Sequence, residues 1–167
     1  MIRKASLSDL SRIAEINVAS WRFAYKEIVS EEILYKDFLV EDRIKVVKKW
    51  MADSSYSLYV YEDDENKIIK AMMGIGKCED QDKQDSFELH FLYVEPFYSR
   101  HGIGTQMIKC FEEEGQKQGY KEFIIWVLEK NEIGKRCYLK SGYSHDGSTK
   151  IFKRLNMKEI RYIKNLT

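Results

Sequence analysis

Phe87-Glu88-Leu89-His90-Phe91-Leu92-Tyr93-Val94-Glu95-Pro96, followed closely by Ser99-Arg100-His101-Gly102-Ile103-Gly104-Thr105, is the stretch whose reading decides the fold. The aromatic and branched run reads as a strand, and Pro96 ends it at Val94 or Glu95. Downstream, Ile103, Met107, Ile108 and Phe111 line one face of a helix, and Gly119 supplies its stop. A strand therefore feeds a glycine turn that opens a helix. The first N–H groups of a helix have no internal partner and carry the positive end of its dipole. Glycines at Gly102 and Gly104 remove side chains that would keep a phosphate from those groups. The strand before and the helix after favour an anion site over a bare tight loop. A dinucleotide fingerprint needs a third glycine where Met107 stands, and a P-loop needs a Gly-Lys-Ser/Thr ending that is absent. Another phosphate-bearing ligand is indicated.

Beyond the helix, the apolar run Phe123-Ile124-Ile125-Trp126-Val127-Leu128 reads as a strand covered on both faces, parallel to the central strand through a right-handed crossover. Asn131 precedes a short helix, about Glu132 to Lys140, closed by Gly142. Two short strands, Lys150 to Leu155 and Ile160 to Ile163, flank Asn156-Met157-Lys158.

Upstream, Ile2 to Ala5 forms a short first strand, and Ser6 with Asp9 forms a capping box for a helix carrying Leu10, Ile13, Ala14 and Trp21 on one face. Trp21, Phe23 and Tyr25 cluster at its end. Aromatics so placed ordinarily pack a core or hinge, and Trp21 and Tyr25 are the two candidates for facing an acceptor pocket. Ser30 caps a second acidic-start segment, and Ile44, Val47 and Trp50 mark another helix, to about Met51. Ser57 to Tyr61 alternates as a strand, Asp63 to Asn66 turns the chain, and Lys67 to Cys78 returns, with Gly74 and Gly76 hinting at a bulge or close backbone approach. The charged turn Glu79 to Ser86 reads as a solvated loop; the alternative is that Glu79, Asp80, Asp82 and Asp85 gather a cationic substrate. The order β-α-α-β-β-β-α-β-α-β-β describes one α/β domain over residues 1–167, a mixed sheet of about seven strands flanked by helices.

Lysine plus arginine, 28, nearly balances aspartate plus glutamate, 27, so no bulk field draws the chain to nucleic acid or an acidic membrane surface. The partner expected is a small molecule or peptide. Cys78, Cys110 and Cys137 are far apart and odd in number, which argues against a disulfide framework and a zinc knuckle; no metal is expected. No stretch approaches the length that crosses a bilayer, so the expectation is a soluble, cytoplasmic protein.

Three pieces together resemble the GCN5-related N-acetyltransferase (GNAT) superfamily: Leu92-Tyr93-Val94-Glu95-Pro96, Arg100-His101-Gly102-Ile103-Gly104, and Asn131 with Cys137-Tyr138-Leu139-Lys140-Ser141-Gly142-Tyr143. The matched motifs lie within about 88 to 147, and the element order agrees over nearly the whole chain. The resemblance implies acetyl-CoA as donor, its pyrophosphate on the backbone N–H groups of Ser99, Arg100, His101, Gly102, Ile103, Gly104 and Thr105. Its pantetheine arm would lie along Leu92, Tyr93 and Val94, where the fourth and fifth strands of a mostly antiparallel sheet splay, with Asn131 hydrogen-bonding it. A homodimer through residues 149 to 163 is also implied. Two departures stand out. Arg100 occupies a position the family usually gives to glycine, and Gly134 one it usually gives to alanine.

Acetyl transfer to an amine needs a neutral amine, a stabilised oxyanion and a proton for the departing thiolate. A lysine-like amine titrates near pH ~10.4, so it arrives charged and a base is required. Glu88 matches a position where some family members carry a basic carboxylate, and His90 is the second candidate. Strand alternation puts Glu88, His90, Leu92 and Val94 on one side unless a bulge intervenes. Tyr138 matches the family tyrosine that protonates or hydrogen-bonds the coenzyme A sulfur. Cys137 adjoins it but has no neighbouring histidine in sequence, so direct attack in a ternary complex is expected over an acyl-enzyme. The function expected is acetylation of a small primary amine; the alternatives are a protein or peptide acceptor, or a non-catalytic acyl-CoA sensor.

Overall fold

A computed structural model describes residues 1–167. Seven strands form one sheet in the order β1-β2-β3-β4-β5-β7-β6: β1 Ile2–Lys4, β2 Tyr56–Glu62, β3 Ile69–Lys77, β4 Ser86–Val94, β5 Glu122–Leu128, β6 Ser144–Phe152 and β7 Met157–Asn165. Only the β4–β5 pair is parallel; every other neighbouring pair is antiparallel. The helices are α1 Leu10–Tyr25, α2 Val40–Ala52, α3 Ile103–Lys117 and α4 Glu132–Lys140, with a five-residue π-type turn at Ile33–Asp37. The expected element order and mixed sheet are those observed.

Each face of the sheet buries its own core. On one face Met107, Ile108 and Phe111 of α3 and Tyr138 of α4 meet Phe87, Leu89, Phe123, Ile125, Ile160 and Tyr162. On the other, Ile13 and Ile16 of α1 and Val47 of α2 cover Leu58, Val60 and Met72, while Val18, Trp21, Leu34 and Phe38 form a smaller cluster. The small cluster is reached from the β6–β7 hairpin by Phe152, Leu155 and Met157. α1 starts as the sequence requires: the Ser6 N–H donates to the Asp9 carboxylate at 2.7 Å, and that carboxylate also receives Arg3.

Three local expectations change. First, Ile75 faces Leu89 while Gly74 faces Phe91, so His90 is the extra residue of a bulge. Leu92 and Val94 consequently share the α3 face with Phe87 and Leu89, and Glu88 points to the opposite face. Second, β6 begins at Ser144 rather than Lys150. It is an exposed edge strand with its own bulge between His145 and Thr149, and so shows no apolar alternation. Third, the charged turn after β3 is not simply solvated. Arg161 of β7, 4% exposed, ties it down through Asp80 at 3.0 Å and Asp82 at 2.6 Å, with Asp146 at 2.7 Å completing the cluster. Trp126 Nε1 also donates to Asp80, at 2.9 Å.

Candidate active site

β4 and β5 are in register from Ser86 opposite Glu122 to Leu89 opposite Ile125, and there the pairing stops. Beyond that point the β5-facing edge of β4 has no strand beside it. A buried strand edge leaves N–H and C=O groups unsatisfied, so the splay invites an extended ligand rich in amides. A cleft opens there, walled by Leu92, Tyr93 and Val94 from β4, Gly104 from α3, Asn131 and Tyr138 from the α4 segment, and Phe23 to Tyr25 from α1.

At one end of the cleft the chain turns from Val94 through a short 3-10 turn, Pro96–Tyr98, into α3. Arg100 has φ +63° and Gly102 φ +79°, two left-handed residues in three. A glycine takes this geometry freely, whereas an L side chain pays about 1–2 kcal/mol. Arg100 thus holds a backbone geometry that suits glycine. Space beside the Gly102 Cα is open for 4 Å, and His101 Nδ1 is bound to the Ser99 carbonyl at 2.8 Å. The first intrahelical bond is accepted by the Gly102 carbonyl from Gln106, which leaves the preceding N–H groups of the turn for an anion. Ile103 faces the core, 5% exposed, and anchors the turn, while Thr105 is exposed.

Asn131 caps α4 and reaches across the splay. Its Oδ1 accepts from the Gly134 N–H at 3.0 Å, and its Nδ2 donates to the Tyr25 hydroxyl at 3.3 Å. A Cβ on Gly134 would lie 3.0 Å from Asn131 Nδ2 and 3.2 Å from Val127 Cγ2, so the glycine makes room for the capping side chain. Tyr138 is 8% exposed at the base of the cleft. Burial pushes its phenol, like that of Tyr25, well above the ordinary range, so both are protonated at neutral pH. Cys137 lines the same wall, and burial raises its thiol too. A protonated thiol is a poor nucleophile.

Tyr25 lines the cleft, whereas Trp21 stands behind it, 6% exposed, stacked on Phe38 at 4.4 Å. The Trp21 indole N–H donates to the Tyr93 hydroxyl at 2.9 Å and so fixes the phenol that lines the cleft. Glu88 and His90 lie deeper along β4. Glu88 is opposite Ile124 in the paired part of the sheet, and its Oε1 is 3.3 Å from His90 Nδ1. Burial pushes the Glu88 carboxyl up, but His90, with Cys78 and Lys150 assisting, leaves it below the usual range. His90 Nε2 is buried without a partner. The geometry therefore joins Tyr25, Tyr93, Asn131 and Tyr138 in one cleft and sets Glu88 and His90 apart as a pair.

Two features had no signal in the sequence: the Asn131–Tyr25 link, which spans 106 positions, and the placing of Glu159 on β7 opposite Leu128 and Lys150, set only by the register of the last hairpin.

Residues 10–143 match the model of the acetyltransferase (GNAT) family. An N-acetyltransferase of Bacillus subtilis (strain 168), YuaI, is 28% identical over 134 residues, covering 78% of this chain and 72% of the relative. A spermidine N(1)-acetyltransferase of Thermoplasma acidophilum is 26% identical over 170 residues, covering 92% of this chain and 95% of the relative. The crystal structure of a PaiA N-acetyltransferase of Thermoplasma acidophilum in complex with coenzyme A superposes with a TM-score of 0.75 at 21% identity, covering 96% of each chain. With a family model spanning most of its length, a splayed β4–β5 pair and an opened α3 start, this chain belongs to the GNAT family and is an acetyl-CoA-dependent acyltransferase.

Proposed function

We propose that the chain moves the acetyl group of acetyl-CoA to the primary amine of a small molecule by direct attack in a ternary complex. One observation carries this reading: the unpaired edge of β4 runs straight from the left-handed turn of α3 to the buried phenol of Tyr138. An extended pantetheine arm fits that edge by strand addition, and the diphosphate fits the open N–H groups before α3. Asn131, at the cleft wall, is the side-chain partner for its amides.

The chemistry follows from position. The neutral amine nitrogen attacks the thioester carbonyl carbon, and the developing oxyanion takes a backbone N–H of β4 near Leu92 or Tyr93. As the C–S bond breaks, the thiolate accepts the Tyr138 phenolic proton, which burial has kept in place until then. Bulk solvent later returns that proton. The amine's own proton passes to Glu88, His90 or water; the lowered Glu88 carboxyl makes it a weaker base than an ordinary glutamate. The raised Cys137 thiol supports direct attack over an acyl-enzyme. The relative that is a spermidine N(1)-acetyltransferase supports an amine acceptor of low mass.

Thiol release from acetyl-CoA, followed over alkylamines, polyamines, amino acids, aminoglycosides and short peptides, tests the assignment. Turnover confined to small amines is the expected result. Turnover of peptides alone, or coenzyme binding with no thiol release from any amine, overturns it.

A further inference from the structure

On β7, Ile160 and Tyr162 point into the core beneath α3, so Glu159 and Arg161 face the opposite side of the sheet, where α1 lies. Glu159 stands between Met157, which packs against the Trp21 and Phe38 cluster, and Arg161, which is consumed by three aspartates. Its cross-strand neighbour on β5 is Leu128, at the end of the strand where β4 has splayed away. Glu159 is thus level with the open part of the cleft, beyond the stretch where Glu88 is enclosed by paired strands.

The carboxylates around it have partners and it has none. Asp80 holds Arg161 and lies 4.0 Å from Lys150; Lys158 pairs with Glu129 at 2.9 Å; Glu88 is against His90. Lys150 is the residue directly across from Glu159 on β6, yet its ammonium sits 4.1 Å over the Trp126 ring and turns toward Asp80. Arg154 and Arg43 are likewise engaged on aromatic faces, at 5.0 Å and 4.7 Å from the Phe38 ring. A half-buried carboxylate with no cation is costly, and burial raises the Glu159 carboxyl, with Lys150 pulling the other way and Glu88 and Asp80 adding to the rise. Its charge also acts on the Tyr25 and Tyr93 phenols, both of which line the cleft. Tyr25 and Tyr93, which line the cleft, pack on the same cluster as Met157, and Glu159 follows two residues on along the same face of β7.

We propose that Glu159 is the acceptor-recognition carboxylate, holding an ammonium group of the acceptor other than the nitrogen that is acetylated. This rests on the small-amine reading above and narrows it to aliphatic diamines and polyamines. The reacting nitrogen must be neutral and stand at the thioester beside Tyr138, so the charge Glu159 meets lies further along the same molecule. The aromatic walls formed by Tyr25 and Tyr93 suit the methylene chain between the two nitrogens and favour a cation at its far end. An acceptor with a carboxylate at that end is repelled.

The test compares three acceptors of equal chain length, an α,ω-diamine, an n-alkylamine and an ω-amino acid, in wild type and Glu159→Gln. Wild type favours the diamine, and Glu159→Gln lowers kcat/KM for the diamine by about tenfold through KM while leaving the alkylamine unchanged. A merely structural role lowers all three alike. Calorimetric titration of the diamine into protein saturated with coenzyme A gives the same comparison without turnover. Diamine affinity that is equal in the two proteins, or a wild-type preference for the amino acid, overturns the proposal. Absence of thiol release with every amine, alongside diamine binding that depends on Glu159, counts against the transfer reading alone.

Discussion

The two faces of the splayed sheet offer different means of binding. On the α3 face, coenzyme recognition is assigned to backbone: the bare edge of β4, the left-handed turn at Arg100 and Gly102, and the N–H groups opening α3. These parts lie within one short stretch, and almost any side chain that permits the backbone path serves. On the α1 face, the proposed acceptor wall is made of side chains brought together across the fold. Trp21 meets Tyr93 from 72 positions away, Tyr25 meets Asn131 from 106, and the β6–β7 hairpin adds Phe152, Arg154 and Glu159. A backbone-built site survives sequence drift, whereas a side-chain-built one changes with each substitution. The proposed donor half thus rests on a local backbone path, and the proposed acceptor half on side chains that meet across the fold.

The sharpest way to strain that contrast is Arg161→Leu. It leaves Asp80 and Asp146 without their buried cation, and loss of one partner from such a cluster costs roughly 3–5 kcal/mol. Thermal melts are expected to show a large drop in Tm, reversed in part by coenzyme A, whose proposed site lies on the other face. A Tm unchanged from wild type contradicts the structural weight given to the cluster.

Asn131→Ala is a smaller perturbation, placed where the two halves touch. Loss of the α4 cap costs about 1 kcal/mol, and the Tyr25 hydroxyl loses its donor. Weaker binding of coenzyme A and of amine together, read by calorimetry, is the expected outcome. A change confined to one ligand places Asn131 wholly on one side.

The smallest effect concerns acid. The Arg3 guanidinium holds the Asp9 carboxyl below its ordinary value, with the Ser6 N–H assisting against burial. A carboxylate whose folded pKa is depressed stabilises the fold above the unfolded pKa of ~3.9 and loses that contribution as pH falls through the folded value. Urea melts of wild type and Arg3→Gln therefore differ at pH 7 and converge as pH falls through the depressed folded value of Asp9. A gap that stays constant to low pH removes Asp9 from the account.

How far the chain could be read in advance follows the same division. The strand ending at Val94, the α3 start and the stop at Gly119 were legible because each is dictated locally by proline, glycine and periodicity. The His90 bulge was not, since only the pairing of Ile75 with Leu89 and Gly74 with Phe91 reveals it, and that single extra residue turned Glu88 away from Leu92 and Val94. β6 escaped for a different reason. As an exposed edge, Ser144 to Lys150 needs no apolar face to be a strand. Arg161 and Glu159 are adjacent-but-one on β7, one saturated and one unpaired, and nothing in their local sequence separates them.

The most direct test of the central claim measures kcat and coenzyme A affinity for Tyr138→Phe. The account predicts a fall in kcat of about 10²–10⁴, the usual worth of a positioned general acid, with coenzyme A affinity unchanged because the backbone face is intact. Wild-type kcat in Tyr138→Phe, or loss of coenzyme binding in step with kcat, contradicts the role assigned to the phenol at the end of the splay.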